Sequence, residues 1–227
     1  ETTTAERLAT GFVFTEGPLW HPDGHWLFVD TRAHRIYRLV PGGEPEVFRE
    51  KSGRANGMTF DLQGRLVVCE GDPANRRVTR TEADGAVTPI AEGWQGKRLN
   101  RPNDVVGRSD VSIYFTDPGG LLDTSLREMG FDGVFRIAPD GTVSPVITDM
   151  EYPNGLAFSP DERILYVANT REHKHVRAFD VRHDGSVSNG RLFADLSGDG
   201  DGAPDGMKVD AAGRVYCTGP GGLWVLD

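Results

Sequence analysis

The chain is a succession of short apolar runs, rich in Val, Ile, Leu, Phe and Tyr, each closed by an Asp-Gly, Pro-Asp or Gly-rich turn. Runs of that composition between such turns predict β-strands. One cassette recurs. A polar residue opens it, Gly usually follows, a short apolar run leads to a turn, and a second apolar run comes after. The clearest copy is Tyr152-Pro153-Asn154-Gly155-Leu156-Ala157-Phe158, a turn at Ser159-Pro160-Asp161, then Ile164-Leu165-Tyr166-Val167-Ala168-Asn169. Glu16, Asn56, Asn103 and Asp205 head four more copies, and the leading positions are 40, 47, 51 and 51 residues apart by difference of their numbers.

A third run follows in most copies (Arg35–Leu39, Arg77–Arg80, Gly133–Ile137, His175–Phe179), and a fourth after that (Glu46–Phe48, Val87–Ile90, Val143–Val146, Arg191–Phe193). Four antiparallel strands per period of roughly 40–50 residues predict the blades of an all-β propeller. Helix is nearly absent, the one candidate being Leu121–Met129 as a short helix or a loop over one face. The fifth unit is expected to stop at Asp227 before its outer strands. Residues 1–10 are expected as an outer strand of the closing blade. Open sheet edges are costly, so about one and a half blades, roughly 60–70 residues at this repeat length, are expected beyond this chain. A closed five-bladed ring is the alternative. Either way residues 1–227 read as a single propeller domain.

Composition narrows the function classes. A net charge of -9 argues against nucleic acid or an anionic membrane as partner. No apolar run is long enough for a membrane helix and no leader peptide is visible, which points to the cytoplasm, or to the periplasm if a leader has been removed. Oligomeric state is left open. Cys69 and Cys217 are too few for a disulfide framework and are expected as buried free thiols in separate blades.

The innermost strand of each propeller blade lines the axis, so equivalent positions form a ring. Glu16, Asn56, Asn103, Asn154 and Asp205 occupy one such position. A single polar residue there could hydrate a channel or cap a strand. Five in register, all carboxylate or amide, form a hard-oxygen site suited to Ca²⁺, or to Mg²⁺ and Mn²⁺. Glu16 and Asp205 would repel without a cation between them.

The motifs Thr15-Glu16-Gly17-Pro18-Leu19-Trp20, Asn100-Arg101-Pro102-Asn103-Asp104-Val105-Val106, Tyr114-Phe115-Thr116-Asp117-Pro118, Tyr152-Pro153-Asn154-Gly155-Leu156-Ala157 and Pro204-Asp205-Gly206-Met207 together resemble the family of SMP-30 (regucalcin), gluconolactonases and luciferin-regenerating enzymes. The Arg-Pro-Asn-Asp-Val-Val form looks like the bacterial gluconolactonase branch. The resemblance spans essentially the whole chain. It implies a six-bladed propeller, with the last one to two blades incomplete here, and a lactonase. It further implies that Glu16, Asn154 and Asp205 bind one divalent metal, Ca foremost, with Zn, Mg or Mn as alternatives. Arg101 and Asn103 would contact the substrate or its metal-bound oxygen, and Asp205 would double as the catalytic proton-transfer group. Asn56 shares the ring position but matches no ligand in the family. Animal members carry an acidic substrate contact in the loop after Thr-Asp-Pro, where this chain has Gly119-Gly120-Leu121.

The expected reaction is hydrolysis of a small-molecule sugar lactone by metal-activated water at the axis. The alternatives are a related ester or phosphotriester hydrolase, and a non-catalytic Ca²⁺-binding propeller. Other signals weigh less. Glu172-His173-Lys174-His175 reads as a solvated outer strand before it reads as a zinc site. Asp199-Gly200-Asp201-Gly202 has Pro204 and Asp210 where an EF-hand needs Gly and Glu, and reads as a loop into the fifth unit. Lys97, Arg98 and Arg101 form a basic cluster that could attract an acidic sugar product. No Gly-x-Ser-x-Gly is present.

Overall fold

The computed structural model describes residues 5–227, and among them the chain is an all-β propeller of five blades. Blade one is β1 (Thr15–His21), β2 (His25–Asp30), β3 (Arg35–Leu39) and β4 (Glu46–Arg49). Blade two is β5 (Ala55–Phe60), β6 (Leu66–Glu70), β7 (Arg77–Thr81) and β8 (Val87–Ala91). A small hairpin, β9 (Gly93–Trp94) and β10 (Lys97–Arg98), precedes blade three, which is β11 (Val105–Gly107), β12 (Ile113–Asp117), β13 (Gly133–Ile137) and β14 (Val143–Ile147). Blade four is β15 (Pro153–Phe158), β16 (Ile164–Asn169), β17 (His175–Val181) and β18 (Val187–Asp195). Blade five is β19 (Met207–Val209), β20 (Val215–Gly219) and β21 (Gly222–Leu226). All pairings between consecutive strands within a blade are antiparallel.

Local chemistry makes these meanders. In the Asp-x-x-Gly and Asp-Gly turns the Asp carboxylate accepts an N–H two residues on, as in Gln63 to Asp61 (3.0 Å), Ala86 to Asp84 (2.9 Å) and Thr142 to Asp140 (2.9 Å), which closes the turn without help from distant chain. Alternation within β6 then sends Leu66 and Val68 toward blade one and Val67 and Cys69 toward blade three. β12 does the same, with Phe115 facing blade two and Tyr114 facing blade four. The core is therefore four apolar layers, one at each junction between consecutive blades. Each fully buried Phe or Leu in these layers contributes roughly 1.5–3 kcal/mol.

One expectation changes, and one pair of alternatives is decided. The fifth unit carries a third strand, β21, because Leu223-Trp224-Val225-Leu226 follows the Gly219–Gly222 turn and pairs with β20. The segment 121–129 is a loop with one 3₁₀ turn, Thr124–Leu126, capped by Asp123. Of the segment expected as an outer strand, residues 5–10 carry no strand and residues 1–4 lie outside the described residues. Just beyond it, Phe12 packs edge-on against Phe28 and Tyr37, on the open face of blade one. Cys69 and Cys217 are buried and free, on β6 and β20. No helix among the described residues is long and apolar enough to cross a membrane.

Candidate active site

Glu16, Asn56 and Asn154 sit at the start of their innermost strands, where those strands bend, and Asn103 and Asp205 lie two residues before β11 and β19. The pairing of β1 with β2 shifts between Glu16 and Leu19, that of β5 with β6 between Ala55 and Met58, and that of β15 with β16 between Pro153 and Leu156. These bulges aim the leader off the sheet. The glycine that follows is needed for blade packing. A Cβ on Gly17 would lie 2.1 Å from the Asn56 carbonyl oxygen, and one on Gly155 would lie 2.0 Å from that of Asp205. Glycine at this place lets the backbone of the next leader approach. In blade three Asp104 stands there instead, buried, its Oδ1 accepting from Val105 N (2.9 Å) and its Oδ2 from Leu156 N (3.3 Å).

The result is convergence. Glu16, Asn56, Asn103, Asn154 and Asp205 line one cavity of about 400 Å³, and Arg101 lines it with them. All five leaders also line a second, adjoining cavity of about 500 Å³. Burial pushes Glu16 up to about 7, reinforced by the charges of Asp205 and Asp104. Burial likewise raises Asp205 to about 6, reinforced by Asp104 and opposed by a hydrogen bond from Asn154. Carboxylates gathered and buried in one place favour a cation among them. The donor set fits a hard cation. Asn154 gives Nδ2 to Thr170 Oγ1 at 2.9 Å, which leaves its Oδ1 as the atom available to an ion. Glu16 and Asp205 supply anionic oxygens, and no thiolate or imidazole lines the cavity among the described residues.

The supports of this ring were not legible as functional in the sequence. Asp30, Asp117 and Asn169 close the second strands of their blades and are buried. Each accepts backbone N–H groups from the loop that delivers its own blade's leader. Asp30 takes Val13 (2.7 Å) and Phe14 (3.2 Å), Asp117 takes Asn100 and Arg101 (both 2.7 Å), and Asn169 takes Tyr152 (2.9 Å). The next residue reaches the following blade. Thr31 Oγ1 donates to Ala55 O at 2.9 Å, and Thr170 Oγ1 donates to Pro204 O at 2.6 Å, each just before a leader. The available signal was a polar residue recurring at the end of an apolar strand. Blade two lacks the device, since Glu70 there is bound by Arg49, Arg77 and Thr79.

Other expected features separate from the site. Lys97 and Arg98 lie exposed on β10 and do not line the cavity. Arg98 donates to Ala74 O at 2.8 Å, so the basic cluster expected with Arg101 does not form. His173 lies beside Glu151 and Glu172 rather than paired with His175, in an exposed group within 4.8 Å that does not line the cavity. The loop at Asp199–Gly202 leads into blade five, with Lys174 Nζ donating to Gly202 O at 2.8 Å.

Residues 14–227 match the model of the SMP-30/gluconolactonase/LRE-like region. The chain is similar to a gluconolactonase of Zymomonas mobilis, 30% identical over 99% of this chain and 69% of that one. It is also similar to a pentonolactonase of Haloferax volcanii, 28% identical over 88% of this chain and 65% of the relative. A solved gluconolactonase structure from Xanthomonas campestris superimposes with a TM-score of 0.85 at 35% identity, over 95% of this chain and 73% of that one. The chain thus spans about two thirds of the length of these curated relatives. By the extent of the match, the chain belongs to the SMP-30/gluconolactonase/LRE-like family.

Proposed function

We propose that residues 1–227 form most of a single six-bladed propeller domain that hydrolyses a sugar lactone with the help of one divalent cation, Ca²⁺ foremost, at the axis. The observation that carries this reading is the convergence of all five leading residues and Arg101 on one cavity, with Glu16 and Asp205 raised by burial and by nearby carboxylates. The lactonase names of the relatives support the reaction class. The lengths of those relatives support a ring that continues beyond this chain.

Glu16, Asn154 and Asp205 would hold the cation. Bound there, it supplies Lewis acidity toward the lactone carbonyl and makes water more acidic. Asp205 takes the proton of the attacking water and returns it to the ring oxygen as the acyl–oxygen bond of the lactone breaks. Arg101 and Asn103 donate to the carbonyl oxygen as it gains charge and hold the ring hydroxyls. Asp117 fixes the backbone that carries Arg101. The test is hydrolysis of D-glucono-1,5-lactone by the full-length protein before and after chelation, with Ca²⁺ added back. Loss and recovery of turnover are expected, and turnover indifferent to chelation overturns the reading.

A further inference from the structure

Four arginines, Arg32, Arg54, Arg101 and Arg171, line the axial cavity together with the ring of leading residues. They come from four successive blades. Arg32 follows β2, Arg54 precedes β5, Arg101 precedes β11 and Arg171 follows β16. Most arginines of this chain, such as Arg49, Arg65 and Arg127, reach a carboxylate within 4.0 Å. None of these four does among the described residues.

Their positions keep the donors available. The guanidinium carbon of Arg32 lies 5.0 Å from the centre of the Phe14 ring, and that of Arg171 lies 5.0 Å from the centre of the Tyr152 ring. Both rings line the same cavity. A guanidinium over a ring engages its face and leaves its N–H edge free, the edge that matches a planar carboxylate or a phosphate. Arg54 and Arg101 lie close enough to repel each other. Guanidinium groups held this close favour a planar anion that bridges them. Four carboxyl groups bear on the region. Glu16 and Asp205 belong to the ring, buried Asp104 accepts the Val105 and Leu156 N–H groups, and Asp132 is engaged by Arg127. A divalent cation would offset Glu16 and Asp205, leaving the cavity net positive. The molecule as a whole carries -9, so the positive mouth runs against its mean field.

Building on the lactonase reading, we propose that the lactone accepted here carries an anionic group, a carboxylate or a phosphate, held by Arg32, Arg54 and Arg171 while the ester faces Arg101 and Asn103. Neutral sugar lactones would then be the poorer substrates.

The experiment compares kcat/KM of the calcium-loaded, full-length protein on three lactones. These are neutral D-glucono-1,5-lactone, D-glucaro-1,4-lactone with a free carboxylate, and 6-phospho-D-glucono-1,5-lactone. At least about a tenfold preference for one of the charged lactones is expected, as suits a charge-assisted hydrogen bond gained, and the winner identifies the anion. That preference should shrink with rising salt, whereas kcat/KM for the neutral lactone should not follow salt. In R32Q, R54Q and R171Q the ratio of charged to neutral kcat/KM should fall. A neutral lactone turned over as well as both charged ones overturns the inference and leaves the lactonase reading standing. A ratio unmoved in all three variants overturns it too. Failure to hydrolyse any lactone removes both.

Discussion

Asp117 holds the backbone of Arg101. Its Oδ1 accepts the Arg101 N–H at 2.7 Å, and its Oδ2 accepts the Asn100 N–H at 2.7 Å. The carboxyl is buried, which pushes it up to about 7 against the two N–H groups that favour its charged form. Residues 100 and 101 lead directly to Asn103, so one buried side chain sets the approach of two proposed substrate contacts.

Asp117→Asn keeps one acceptor oxygen and turns an amide N–H₂ toward a backbone N–H. Leaving that N–H unpaired should cost about 1–3 kcal/mol. Urea unfolding should report that loss, and kcat/KM should fall further than unfolding alone explains, because Arg101 shifts. Wild-type kcat/KM in a folded Asp117→Asn protein would rule out the positioning role.

The ligand set predicts a graded response at the axis. Glu16→Gln and Asp205→Asn should each weaken Ca²⁺ binding at least about tenfold, since each removes one anionic ligand. Asp205→Asn should also lower kcat when Ca²⁺ is saturating, as the group proposed to take the proton. Isothermal titration calorimetry separates the two effects. An Asp205→Ala protein with full kcat would exclude Asp205 from proton transfer.

Stability and metal binding should depend on pH together. Glu16 is raised from 4.5 to about 7 and Asp205 from 3.8 to about 6. Between the unfolded and folded values the folded chain binds more protons than the unfolded one. The metal-free protein therefore loses stability as pH rises from about 4 to about 7, these two groups contributing most below about pH 4. Metal replaces those protons, so the rise in Tm on adding Ca²⁺ should grow across the same window. Thermal unfolding at several pH values, with Ca²⁺ or a chelator, measures it. A Ca²⁺-induced shift that is flat from pH 5 to 8 contradicts it.

Gly155→Ala tests how the blades meet. The added Cβ would stand 2.0 Å from the Asp205 carbonyl oxygen, a backbone atom that moves only with its strand. The substitution should destabilise by about 1–3 kcal/mol or more and weaken Ca²⁺ binding by displacing Asp205. A variant with unaltered Tm and calcium affinity would show that the blades tolerate a wider gap.

The repeating strand pattern, its turns and the register of Glu16, Asn56, Asn103, Asn154 and Asp205 were determined by the sequence alone. They rest on short-range physics. Side chains alternate with period two, Asp carboxylates close turns two residues on, and a leader is defined by its place in its own strand. What the tertiary structure decided joins residues far apart in the chain. Asp117 reaches back to Arg101, Thr170 crosses to Pro204, and the four cavity arginines arrive from four blades. The same limit hid β21, whose Leu-Trp-Val-Leu run becomes a third strand by pairing with β20. Periodicity says which way a side chain points from its own strand. Only the packing of one blade on the next says what it meets there.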